Sequence, residues 1–120
     1  GEVDYTTTYC SNIVVKRLAD INSGEDPMFG GPASGHAMDI TVVGTRLYFK
    51  ANDGSSGFEL WAHESTTGST WQVADINSGS GHGYANGITV MGTRLYFEAS
   101  DGSSGLELHM MEIEHSITYN

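Results

Sequence analysis

Apolar and polar residues alternate with period two in several short runs of this chain, and each run stops at a cluster of Gly, Ser, Thr, Asn or Asp. The runs are Ile13–Ile21, Ile40–Val43, Arg46–Ala51, Phe58–Glu64 and Trp71–Ile76. Between them lie Asn22-Ser23-Gly24, Gly44-Thr45, Asn52–Gly57 and Ser65–Thr70. This pattern predicts one leading strand and then a four-stranded antiparallel meander. Side chains two apart share a face, which groups Leu47 with Phe49 and Ala51, and Phe58 with Leu60 and Ala62. A six-residue loop, Asn52–Gly57, sets Ala51 opposite Phe58, Tyr48 opposite Trp61 and Lys50 opposite Glu59. An aromatic pair and an opposite-charge pair each stabilise a hairpin by roughly 0.2–1 kcal/mol, which favours that register. The second face then also carries aromatics, as in a sheet covered on both sides.

Most of this pattern is written twice. Residues 39–60 align with 87–108 with five differences, Asp39/Gly87, Val43/Met91, Lys50/Glu98, Asn52/Ser100 and Phe58/Leu106. A second block, ADINSG, occurs at 19–24 and 74–79. The first offset is 87 − 39 = 48 and the second 74 − 19 = 55, so the first copy carries seven extra residues within Glu25–Gly35. A period near 48 is that of β-propeller blades and related arrays. The second copy lacks an equivalent of Trp71–Ile76, whereas LADINSG near the N-terminus matches VADINSG of that strand. The expected fold is therefore all-β: two four-stranded, blade-like antiparallel meanders packed with pseudo-two-fold symmetry. The N-terminal strand would complete the C-terminal unit, in cis or in trans. The expected divisions are a tail at 1–12, a first repeat with its preceding strand at 13–76, and a second repeat at 77–120.

The motifs DINSG and LYFKANDGSSGFELW resemble the ELWxxDGT repeat family, over most of residues 14–114. The first copy keeps Glu59-Leu60-Trp61; the second has Glu107-Leu108-His109, and STTGST at 65–70 stands where the family carries DGT. The resemblance implies propeller-like units in large exported or surface bacterial proteins. It implies no catalytic residues.

Charge and cysteine content narrow the classes further. Fifteen acidic against five basic side chains give a formal charge of −10, which repels phosphate backbones and anionic lipid. Nucleic acid is excluded on that ground, and no apolar run reaches the roughly 20 residues that span a bilayer. Cys10 is the lone cysteine, so no internal disulfide forms. His36, His63, His82, His109 and His115 lack zinc-site spacing and read as surface or rim residues. No nucleophile elbow or comparable context surrounds a serine, so the chain reads as a non-enzyme.

Two sets of residues carry candidate chemistry. Asp53 with Glu59, and Asp101 with Glu98 and Glu107, offer oxygen ligands for Ca²⁺ beside tight turns; the same aspartates also suit turn capping. Glu98 would lie opposite Glu107, and a cation would relieve that like-charge pair. Trp61, Trp71 and Tyr84 offer a sugar-stacking platform, or packing between sheets. Val3, Tyr5, Tyr9, Cys10, Ile117 and Tyr119 are the candidates for assembly contacts in the tails. The expectation is an extracellular or cell-surface structural protein that assembles with identical protomers by strand and tail exchange, into a filament or fibre. The alternative is an extracellular glycan- or ligand-binding module, with or without Ca²⁺.

Overall fold

A computed structural model describes residues 13–26, 28 and 30–113 of the chain. Strands β1 (Met38–Val43), β2 (Arg46–Asn52), β3 (Phe58–Glu64) and β4 (Ser69–Ala74) form one antiparallel sheet in that order. Strands β5 (Asn86–Met91), β6 (Arg94–Ser100) and β7 (Leu106–Glu112) form a second antiparallel sheet. The all-β expectation holds, with a second sheet of three strands. The meander follows the punctuation of the sequence: Gly44 and Gly92 turn at φ 60° and 62° between the first two strands of each sheet.

The central hairpins are out of the expected register by one residue. Asn52 lies opposite Phe58, Lys50 opposite Leu60, Tyr48 opposite Ala62, Phe49 opposite Trp61 and Ala51 opposite Glu59. The cause is in the loop. Asp53 Oδ1 accepts the amides of Ser55 (2.9 Å) and Ser56 (2.8 Å), which closes the connection within Asp53–Gly57 and leaves Asn52 in the ladder. A shift of one residue exchanges faces. Phe58, Leu60 and Ala62 therefore lie beside Tyr48, not beside Leu47, Phe49 and Ala51. Glu59 is not the partner of Lys50, whose Nζ donates to Asn86 Oδ1 (2.6 Å) and pairs with Asp39 (3.9 Å). The second hairpin repeats this register, so Glu98 faces Leu108 and Glu107 faces Ala99. The like-charge pair that motivated a cation there does not form.

The sheets bury unlike faces against one another. Tyr48, Leu60 and Ala62 of the first sheet share a core with Leu95, Phe97 and Ala99 of the second, closed by Ala85 and Ile88. By the 48-residue repeat, Leu95, Phe97 and Ala99 are the equivalents of Leu47, Phe49 and Ala51, which lie on the other face of the first sheet. A two-fold axis would instead bring equivalent faces together, Tyr48 against Tyr96. The expected pseudo-two-fold packing is thus replaced by face-to-back stacking. The equivalent strands β1 and β5 meet at its edge, where Thr41 Oγ1 donates to the Ile88 carbonyl (3.0 Å).

The leading strand is the other correction. Residues 13–20 belong to no sheet and lie along the surface, with Val15 93% exposed. They do not complete the second sheet in cis, and among the described residues nothing pairs with the outer edge of β7. The inserted residues form a small closed excursion: Glu25 bridges Pro32, and the Ala33 amide donates to the Gly24 carbonyl (3.0 Å).

Candidate functional site

Hydrogen bonds and burial converge on the joint between the two sheets, around Glu59. β3 places it on the Phe49 face, one residue before the core side chain Leu60, and it is 0% exposed. A buried carboxylate is tolerated only when donors surround it. Here the connection from β4 to β5 supplies them. The Ile76 amide donates to Oε1 (2.6 Å) and the Gly83 amide to Oε2 (3.0 Å), with the Asn77 amide adding a third donor. Burial pushes the Glu59 carboxyl up to about 7, aided by the neighbouring charge of Asp75, and the amides pull the other way. Gly83 is required by space: a Cβ there would overlap the Glu59 carboxylate. The Gly83 carbonyl then accepts the Ser100 amide of the second sheet (2.9 Å), so one residue ties both sheets together.

The ADINSG block and the DGSSG loop dock on each other in both repeats. Asn22 Oδ1 would lie 2.8 Å from a Cβ at Gly54, and Asn77 Oδ1 2.6 Å from one at Gly102, so each glycine makes room for an asparagine. Asn22 Nδ2 donates to the Ser34 carbonyl and Asn77 Nδ2 to the His82 carbonyl, both at 3.2 Å. Gly35 O accepts the Asn52 amide (2.9 Å), as Gly83 O accepts Ser100. Residues 21–24 and 32–35 therefore sit on the first sheet as 76–83 sit on the second. What the first lacks is a carboxylate in the position of Glu59.

The residues singled out for chemistry are dispersed by the fold. Asp53 Oδ1 and Oδ2 accept hydrogen bonds from Ser55 and Ser56; burial pushes the carboxyl up, but these bonds outweigh that and hold it below its ordinary range. Asp101 is held low by the Ser103 and Ser104 amides and the Ser103 hydroxyl. Both cap their own turns. Glu98 and Glu107 project from β6 and β7 on opposite faces, and among the described residues no three His, Cys, Asp or Glu side chains come together as a metal would need. Trp61 and Trp71 lie on opposite faces of the first sheet, since Trp61 pairs with Gln72 and Trp71 with Ala62. Trp71 packs on the core beneath the Arg46 guanidinium (4.9 Å), and Tyr84 stands in the connection with its ring 5.4 Å from that of His82. They do not form one platform. His63, expected at a surface or rim, is buried at 7% exposure with Nδ1 2.7 Å from Thr70 Oγ1. Val3, Tyr5, Tyr9, Cys10, Ile117 and Tyr119 lie outside the described residues.

Sequence reasoning assigned Glu59 to a cation and overlooked Asn22, Asn77 and Gly83. The signal was present in the second repeated block: ADINSG and DGSSG both occur twice, so a contact between them made once can be made twice. No family model, characterised protein or solved structure matches the chain.

Proposed function

We propose that this chain is a non-enzymatic structural repeat of an extracellular or cell-surface protein, which assembles with copies of itself by donating residues 13–19 to the open edge of β7. The observation that carries this reading is a matched surplus and deficit. Among the described residues the second sheet ends on β7 with no fourth strand, while Val14–Ala19, which the 55-residue offset aligns with Ser69–Ala74 of β4, lie outside any sheet with Val14–Leu18 exposed. An unpaired edge with a free strand-forming segment is the arrangement that strand addition uses.

The register follows from the first sheet. His63 pairs with Thr70 and Ala62 with Trp71, so by the two offsets Met111 would pair with Val15 and Met110 with Lys16. Charge agrees with that placement: Lys16 and Arg17 would approach a strand bearing Glu107 and Glu112, in a chain with five basic residues in all. The resemblance to ELWxxDGT repeats supports an exported protein and blade-like stacking. A head-to-tail contact gives a ring if its rotation closes and a filament if it does not.

The test is the double substitution Val15→Pro with Lys16→Pro, which removes whichever of the two amides faces β7. Because residues 13–20 contribute to no sheet in the single chain, its circular dichroism should be unchanged. Light scattering should show assembly by the wild type and none by the variant. Assembly of the variant at wild-type concentrations would overturn the proposal.

A further inference from the structure

Resting on that reading, we infer that the joint between copies is locked by Glu107 of one copy, whose carboxylate enters the amides of Ile21, Asn22 and Gly35 of a second copy while Leu108 fills the cavity beside them. The internal joint is the template. There Glu59 is enclosed by Ile76, Asn77 and Gly83, which the two offsets equate with Ile21, Asn22 and Gly35. The carboxylate, the residues that supply its three amides and the adjoining leucine each occur a second time in the chain, but unassembled and at opposite ends of the stack.

The exposed side is the outer face of the second sheet. Leu60 is 0% exposed within the shared core, and its equivalent Leu108 is 77% exposed. Beside it Met110 and Leu106 are exposed where Ala62 is buried and Phe58 half-buried. Glu107 is exposed, and its carboxylate has no hydrogen-bond partner among the described residues. Gly105 has open space above it, whereas a Cβ at its equivalent Gly57 would run into the Gly81 carbonyl.

The receiving side is the Phe49 face of the first sheet. A cavity of about 200 Å³ opens there, lined chiefly by Leu18, Ile21, Ile40, Leu47, Phe49 and His63. The equivalents of these six are Val73, Ile76, Ile88, Leu95, Phe97 and Met111, all in or against the shared core. In that core the space is filled by Tyr48 and Leu60. In the cavity it is empty, and Ile40 is 57% exposed where Ile88 is 8%. Among the described residues the amides of Ile21 and Gly35 meet no acceptor. A Cβ at Gly35 would meet Ile21 and no carboxylate.

The occupant is therefore a second copy of this chain, because the two faces are the repeat equivalents of those already buried against each other within one copy. Donated residues 13–19 and the lock are compatible: in the internal joint β4 runs directly into Ile76 and Asn77, as 13–19 run into Ile21 and Asn22. The joint unites unlike surfaces, so each copy offers one of each.

Three full-length chains test it by sedimentation velocity at neutral pH: wild type, Glu107→Lys and Gly35→Ala. The lysine abolishes the inserting group on an exposed side chain, and the alanine methyl occupies the space the carboxylate would enter. Loss of at least two charge-assisted hydrogen bonds predicts an association constant lowered about 100-fold or more in each variant. Mixed, the two variants retain one intact joint between them and should form a dimer that neither forms alone. Glu107→Lys added to wild type should also cap growth and lower the mean size, an outcome that needs no second variant. Wild-type chains that remain monomeric at millimolar concentration would overturn both strand donation and the lock. Assembly of the wild type and of both variants alike would overturn the lock and leave strand donation standing. Variants that stay monomeric even when mixed would overturn the head-to-tail joint.

Discussion

Replacing Glu59 and Glu107 by alanine, one at a time, compares the same residue at the same repeat position in two environments. Glu59→Ala removes the acceptor of the Ile76 and Asn77 amides; Gly83 keeps the Phe58 carbonyl at 2.7 Å. Each buried donor left unpaired costs about 1–3 kcal/mol, and the vacated space adds to that, so the loss should be roughly 3–5 kcal/mol. Glu107→Ala, on an exposed side chain in the unassembled chain, should stay within about 0.5 kcal/mol. Urea unfolding in dilute solution measures both. Equal costs for the two, or less than about 1 kcal/mol for Glu59→Ala, would refute the assignment of Glu59 as the tie between sheets. A pH arm checks the same group. Its folded value of about 7 lies above the ordinary 4.5, so the folded chain holds this proton more tightly than the unfolded one. The stabilisation is complete below 4.5 and is lost as pH rises through 7, a change of roughly 3 kcal/mol. Glu59→Gln should flatten this slope between pH 4.5 and 7; an unchanged slope would assign it elsewhere.

Other substitutions exploit the same duplication. Gly57 and Gly105 sit at φ 74° and 75°, so alanine should cost about 1 kcal/mol at either through backbone strain alone. Gly57→Ala should cost clearly more, because the Gly81 carbonyl blocks its Cβ; equal shifts in thermal midpoint would contradict that contact. Deleting the seven residues Glu25–Gly31, which the second repeat lacks, should change stability by less than about 1 kcal/mol by urea titration, since Gly24 and Ala33 are already hydrogen-bonded across their base. Calcium or a chelator should leave the thermal midpoint unchanged, because Asp53 and Asp101 cap their own turns through the following serines and, among the described residues, no three acidic side chains come together; a rise with millimolar calcium would restore the cation reading.

Strand number and order in the first sheet were legible in the sequence because period two and Gly-rich turns act locally. The register was not. Cross-strand pairing of Lys50 with Glu59 and Tyr48 with Trp61 is worth roughly 0.2–1 kcal/mol at each position, whereas Asp53 capping two amides decides which residue leaves the ladder first. Lys50 finds its partners on β5 and β1, strands that hairpin reasoning does not consider. The Glu59 site was hidden for a related reason. Its donors come from backbone amides, which carry no side-chain signature, and only the glycine at 83 and the repeated ADINSG block hint at them. Ile13–Ala19 has the composition of a strand without a sheet to join, since pattern reports what a segment can pair with and not whether its partner lies in the same molecule.

The small excursion closed by Glu25 and Pro32 has no counterpart in the second repeat. Sheets stack about 10 Å apart, so along any series of these copies it would protrude once per two sheets, roughly every 20 Å. In such a series it would serve as a natural phase marker and give each copy a recognisable leading end. A gold-binding or epitope tag spliced at its tip would make the polarity of single particles directly visible, and would allow successive copies to be counted by eye.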